Sequence, residues 1–172
     1  MIVTSAEELR APCEEVLPEE VEELKGKLEA ELRASADRGM PGIGLAAPQI
    51  GIAKRIAIVR VGDRHCVDLV NAKIIKGYDK QLFNGEGCLS FPGMFESTMR
   101  YQEIVVENET EPKRFVAKGL FAVAIAHELD HLDGKILPDF ALKKTVKKKV
   151  RPNDPCFCGS NKKYKKCCGK KS

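Results

Sequence analysis

His127, Glu128 and His131 belong to an H-E-x-x-H run, His127-Glu128-Leu129-Asp130-His131, inside an apolar segment near the end of the main body of the chain. On an α-helix, residues four apart stand one turn above each other on the same face, so both imidazoles can present a nitrogen to one metal ion. Glu128 is turned about 100° from His127, which puts it beside the site rather than in it. A general base for an activated water belongs there. The competing reading is a pair of core histidines. Burying two imidazoles and a carboxylate among alanines and leucines without a partner is costly, and that favours the metal.

Two histidines leave a catalytic metal one protein ligand short. The extended pattern H-E-x-x-H-x-x-G-x-x-H would supply a third histidine after Gly134, but Leu137 stands in that place, so the third ligand comes from elsewhere in the sequence. Cys88 leads the candidates. It sits in Asn84-Gly85-Glu86-Gly87-Cys88-Leu89-Ser90-Phe91-Pro92-Gly93, where the glycines and the proline predict an irregular, fixed backbone. A cysteine held there is either a small buried hydrophobe or a thiolate. Cys66, His65 and the surface carboxylates rank behind it; His65 and Cys66 flank a turn and are read as solvated, and Cys13 as an incidental thiol.

The elements that must position these groups follow from periodicity and breakers. Val21, Leu24, Leu28 and Leu32 recur at helical spacing, which predicts an acidic surface helix over 18–38, opened by Pro18 and closed by Gly39. The next stretch, Gly39 to Gln49, carries glycines and prolines that predict no regular element, and Gly42 and Gly44 allow another backbone or a peptide to approach closely. It is not a phosphate loop, because no G-K-[ST] follows. Gln49 is either a solvated loop residue or an amide aimed into a site. Strands are expected over Arg55 to Val61, Cys66 to Val70 continuing through Ile74 and Ile75, Arg100 to Glu107, and Lys113 to Ala117, with Gly62-Asp63 as a hairpin turn. Leu120, Val123 and Ala124 share the helical face of His127, so an apolar wall runs up to the metal and suits an unbranched side chain.

At 172 residues and 43% hydrophobic content, the chain can bury one core and a small appendage. No run reaches the roughly 18 apolar residues of a membrane span. The first residues, Met1-Ile2-Val3-Thr4 followed by acids, look like neither a signal nor a transit peptide, so a cytoplasmic location is expected. Cysteines there are metal ligands or free thiols rather than disulfides. Charge is divided unevenly. Residues 143–172 hold 12 basic residues against the single acid Asp154, a net +11, whereas residues 1–142 carry 17 basic and 24 acidic residues, a net −7. A catalytic domain over 1–142, a basic linker over 143–150 and a separate element over 151–172 are therefore expected.

Gly42-Ile43-Gly44-Leu45-Ala46-Ala47-Pro48-Gln49, Glu86-Gly87-Cys88-Leu89-Ser90 and His127-Glu128-Leu129-Asp130-His131 resemble, in order, the three signature motifs of peptide deformylases. The resemblance implies an α+β fold in which small antiparallel β-sheets surround the helix that carries the H-E-x-D-H motif. It implies hydrolysis of the N-formyl group from the initiator methionine of new polypeptides. Cys88, His127 and His131 would bind a divalent metal, Fe(II) first and Ni(II), Co(II) or Zn(II) as alternatives. Glu128 would take the proton of the attacking water, and the Gln49 amide and the Leu89 backbone N–H would hold the oxyanion. Ile43, Gly44, Leu45 and Gly87 would line the peptide's path with Leu120, Val123 and Ala124, and the glycine loop could pair with the substrate as an added strand. Glu86 would orient a ligating histidine, and Asp130 would pair with Arg100. A monomer is expected. The alternatives are an inactive, deformylase-like adaptor and a metallopeptidase; Leu137 weighs against the second.

The tail reads on its own terms. Cys156, Cys158, Cys167 and Cys168 form C-x-C and C-C pairs around Gly159, the pattern of a tetrahedral thiolate zinc site whose metal would supply the folding energy of so short a segment. It resembles the SEC-C motif. Four thiolates and one zinc ion leave the tail strongly cationic, which fits an anionic partner such as ribosomal RNA or a ribosomal protein.

Overall fold

The computed structural model describes residues 1–141, 153 and 162–166. Residues 1–142 and 143–172 form two compact units.

The first unit opens with a short helix α1 (Ala6–Leu9) and, after a 3₁₀ turn at Pro18–Glu20, a long helix α2 (Val21–Asp37). The spacing of Leu24 and Leu28 places both on one buried face, and burying a leucine of this kind stabilises the fold by about 1.5–3 kcal/mol. Two three-stranded antiparallel sheets follow. Strands β1 (Gly44–Ala46), β2 (Ile56–Val61) and β3 (His65–Val70) make the first; β4 (Lys73–Gly87), β5 (Phe95–Glu107) and β6 (Arg114–Lys118) make the second. Helix α3 (Gly119–Leu132) carries the H-E-x-x-H run, and a short α4 (Leu137–Phe140) follows.

Strand β2 explains the layering. Successive side chains of a strand point to opposite faces. Ile56 and Ile58 join Leu24, Leu28 and Leu45 in a core beneath α2, while Ala57 and Val59 join Leu69, Ile104, Val106, Ile125 and Leu129 in a core around α3. An unbroken apolar run is what a strand buried on both sides requires. Helix α3 is apolar nearly all round, as a helix enclosed by sheets must be. It starts at Gly119, whose φ of +57° lets the chain turn straight out of β6, and stops before Gly134, whose φ is +69°. Arg55 Nη1 donates to the Leu132 carbonyl at 3.0 Å, satisfying one of the helix's open C-terminal acceptors. The α+β class with two antiparallel sheets around this helix matches the sequence expectation.

Several boundaries differ. Gly44–Ala46 is a true strand, paired Gly44 to Val59 and Leu45 to Ile58, followed by a 3₁₀ turn at Ala47–Ile50, so the glycine loop is more regular than its composition predicts. Strand β4 continues to Gly87, far beyond Ile75, and β5 begins at Phe95 rather than Arg100. The segment Asn84–Gly87 therefore belongs to a sheet, with a β-bulge between Phe83 and Glu86; the irregular turn begins only at Cys88. Cross-strand hydrogen bonds to β5 hold β4 extended where its own side chains give no alternating pattern.

In the second unit, the described residues contain one 3₁₀ turn at Tyr164–Lys166, closed by the Lys166 N–H donating to the Lys163 carbonyl at 2.8 Å. The expected linker 143–150 and Cys156, Cys158, Cys167 and Cys168 lie outside the described residues.

Candidate active site

Two chain segments meet along the C-terminal half of α3. Cys88 lies just past the end of β4, His127 and His131 stand one turn apart on α3, and the ligand atoms of the three residues lie within 4.8 Å of one another. Cys88 Sγ is 3.3 Å from His131 Nε2, and the two imidazoles meet edge to face with centroids 5.0 Å apart. The cluster tests well as a metal site. A thiol and two ring nitrogens are a tetrahedral donor set with one position to spare, and the only polar contact of the buried His131 ring among the described residues is with the Cys88 sulfur, a fellow member of that set. His65 and Cys66 lie exposed at the β2–β3 turn, His65 against the Phe121 ring at 5.2 Å, and take no part.

Protonation separates the two rings. Burial disfavours the charged form of His127, but hydrogen bonds with Cys88 and Glu86 and the nearby Glu128 charge outweigh it and hold the pKa up at about 10. Burial, with the neighbouring His127 charge, pushes His131 down to about 3. In the metal-free chain the His127 ring is therefore held protonated, and a cation must displace a proton to bind it.

Glu86 is buried behind His127. Its Oε1 accepts from His127 Nδ1 at 2.7 Å and from Arg100 Nη2 at 2.5 Å; its Oε2 accepts from Arg100 Nε at 2.8 Å and Thr98 Oγ1 at 2.6 Å. A carboxylate only accepts, so the ring proton of His127 sits on Nδ1 and its Nε2 is left for a metal. Burial works to raise the Glu86 pKa, yet His127, Arg100 and Thr98 bring it down to about 2. Arg100 Nη1 also donates to Asp130 Oδ2 at 2.6 Å, and its guanidinium lies over the Phe140 ring at 4.6 Å. Glu86, Arg100 and Asp130 therefore join β4, β5 and α3 in one ionic chain.

Glu128 is buried beside the cluster with Oε2 lacking any hydrogen-bond partner among the described residues. Burial drives its pKa up to about 7, the range in which a carboxylate can take and return a proton near neutrality. Gly44 makes room for it: a Cβ at position 44 would collide with Glu128 Oε1 and lie 2.9 Å from Cδ. Gln49 is almost wholly buried. Its Oε1 accepts from the Ala46 N–H at 2.9 Å, which fixes the amide so that Nε2 points at Ser90 Oγ, 3.3 Å away, and toward Cys88 Sγ at 3.6 Å. An anchored amide of this kind is a preorganised donor.

A cavity of about 500 Å³ opens over these groups. Ile43, Gly44, Gly87, Leu89, Leu120, Val123 and Ala124 line it together with Gln49, Cys88, His127 and Glu128. Leu45 stands apart from these residues. Its side chain is fully buried in the core beneath α2 because the alternation of β1 turns it away from the cavity, so it offers only backbone there. Sequence reasoning missed Thr98, Phe140 and the apolar rim of Met40, Phe91, Met94 and Phe95. The rim carries no chemical signature, and the roles of Thr98 and Phe140 exist only through partners across the fold.

Comparison with known proteins agrees with this geometry. The family model described as Polypeptide deformylase matches residues 1–147, and that of the SEC-C motif matches residues 153–170. The peptide deformylase of Natranaerobius thermophilus is 45% identical over 96 residues, 54% of this chain and 62% of that one, so the match spans less than two thirds of that relative. Peptide deformylase 2 of Streptomyces avermitilis is 39% identical over 140 residues, 76% of this chain and 73% of its own. The crystal structure of a peptide deformylase from Synechococcus elongatus in complex with actinonin superposes with a TM-score of 0.71 at 32% identity, covering 84% of this chain and 80% of that one. The Cys-His-His cluster, built by the end of β4 and a helix framed by two antiparallel sheets, and the family match over 1–147 lead to one conclusion: this chain belongs to the polypeptide deformylase family.

Proposed function

We propose that the chain hydrolyses the N-formyl group from the N-terminal formylmethionine of newly made polypeptides and releases formate. The observation that carries this reading is the buried Glu128 carboxylate, whose Oε2 has no hydrogen-bond partner among the described residues, beside the Cys88, His127 and His131 donor set in an apolar cavity. A divalent cation held by those three residues would supply Lewis acidity, polarising the formyl oxygen and acidifying water. The chain's own groups do the rest. Leu120, Val123 and Ala124 form the wall for the methionine side chain, and β1, paired with β2 on one side, presents its other edge to the peptide. Gln49 Nε2 and the Leu89 backbone N–H receive the charge that develops on the formyl oxygen. Glu128 accepts the proton of the attacking water and returns it to the departing amine nitrogen. Glu86 keeps the His127 proton on Nδ1 throughout.

The metal we assign is Fe(II), with Ni(II), Co(II) and Zn(II) as competitors for the same donors. Chain reconstituted without oxygen should turn over formyl-Met-Ala-Ser faster with Fe(II) or Ni(II) than with Zn(II); a fastest rate with zinc overturns the assignment. The intact cluster speaks for catalysis rather than for an inactive adaptor.

No helix among the described residues is long and apolar enough to cross a membrane. We infer a cytoplasmic monomer with a catalytic domain over 1–142, a basic linker over 143–150 and a zinc-binding element over 151–172, its zinc held by Cys156, Cys158, Cys167 and Cys168. With its net +11 before metal binding, this tail would dock the enzyme to an anionic face of the ribosome. Cosedimentation with ribosomes should weaken with salt and vanish on truncation at Thr145; binding unchanged by the truncation would rule the tail out.

A further inference from the structure

We infer that Thr98 is a positioning residue of the metal centre: its hydroxyl locks the Glu86 carboxylate, and through it His127, in the orientation that loads and holds the metal. The inference rests on the metal assignment above and adds a residue to it.

Thr98 is fully buried, and its Oγ1 donates to Glu86 Oε2 at 2.6 Å. Because the carboxylate can only accept, the single hydroxyl proton is committed to that bond. Glu86 has about four lone-pair directions, and its four contacts fill them: two on Oε1, from His127 and Arg100, and two on Oε2, from Arg100 and Thr98. Arg100 alone grips both oxygens, but it is itself drawn toward Asp130 and Phe140. Thr98 is the contact on Oε2 that belongs to neither the arginine nor the helix. It fixes the carboxylate against rotation within the arginine's grip.

The backbone is built to bring this about. Thr98 pairs with Phe83 across the β4–β5 ladder, whereas Glu86 pairs with Glu96, so the bulge between Phe83 and Glu86 turns Glu86 inward onto the threonine. Gly85, with φ +79°, supplies the bulge's left-handed residue, and Ser97 Oγ donates to Asn84 Oδ1 at 2.8 Å across it. A bulge that re-aims a side chain beside a site is how such a strand departs from regular pairing.

Thr98→Val keeps the shape and removes the hydroxyl; Thr98→Ser keeps the hydroxyl and removes the methyl. Both are made in the full chain, loaded with Co(II), and followed by the Co(II) absorption spectrum, the rate of metal loss to a chelator, and kcat and KM for formyl-Met-Ala-Ser. Loss of an outer hydrogen-bond partner of a metal-bound histidine lowers affinity or activity about 10–100-fold, and Thr98 acts one step further out, so Thr98→Val should lose metal and kcat about 3–10-fold. KM should be unchanged, the Co(II) bands should shift, and Thr98→Ser should stay within about twofold of the unaltered chain, as expected when the outer hydrogen bond is retained. Should Thr98→Val fail to fold, Thr98→Ala carries the same comparison against Thr98→Ser. Unaltered metal retention and spectrum in the hydroxyl-free variant would overturn the inference, as would Thr98→Ser behaving as badly as Thr98→Val, since the methyl and not the hydroxyl would then matter. An unaltered chain that takes up no Co(II) with the bands of a thiolate site would instead sink the metal assignment itself.

Discussion

Glu128→Gln lowers kcat for formate release by about 10²–10⁴-fold, the usual contribution of a positioned general acid–base residue, while the active-site metal stays bound. The substitution keeps the shape of a side chain that is fully enclosed and alters only its ability to take a proton. Metal content separates this outcome from a damaged centre, because Glu128 lies beside the donor set and is not part of it. The pH profile carries a second signature. Burial, helped by the neighbouring Glu86 and Asp130 charges and opposed by His127, holds the Glu128 pKa at about 7, and a bound cation nearby favours the charged form and lowers it. The acidic limb of kcat/KM should therefore fall below pH 7 and disappear in Glu128→Gln. Gly44→Ala should reach a similar end by another route, since the added Cβ occupies the place of the carboxylate and must displace it or the strand.

Cys88→Ala is expected to remove the active-site metal and with it all measurable turnover. Losing a hydrogen-bond partner of a ligand costs about 10–100-fold in affinity; losing the ligand itself should exceed the upper end of that range. The measurement is metal stoichiometry after gel filtration, which should fall by one equivalent in the full chain, leaving any zinc of the tail in place. A retained equivalent at this site would mean that another group completes the donor set. Acid should release the metal from the unaltered chain as well, because the His127 pKa of about 10 in the metal-free chain makes the proton a strong competitor for the ring.

The chemistry of the site was more legible in the sequence than the frame that holds it. His127, Glu128 and His131 are contiguous, so one helical turn is enough to relate them, and the absence of a histidine at Leu137 points to a ligand from a distant loop. The early part of α2 announces itself by period, and the double-faced β2 by its unbroken apolar run. Strand β4 does not. Over Lys76 to Gly85 it is mostly exposed on both faces, carries Gly77 and Gly85, and places Asp79 at φ +52°, so neither alternation nor propensity marks it as a strand. Gly44 signals that something approaches closely, but only the folded chain shows that Glu128 is what arrives. Thr98 gives no signal at all: its partner Glu86 is 12 residues away, and the contact depends on a bulge that adds no recognisable motif. Leu45 is a motif residue whose side chain serves the core, which leaves only its backbone on the edge strand β1.

The central claim is hydrolysis of the formyl amide and no other bond. It is tested most directly by incubating the Fe(II)-loaded chain anaerobically with formyl-Met-Ala-Ser and measuring formate and peptide mass in the same reaction. One formate is expected for each Met-Ala-Ser with a free amino terminus. Release of formyl-Met or free dipeptide would identify a peptidase, and no product with any of the four metals would contradict the assignment outright.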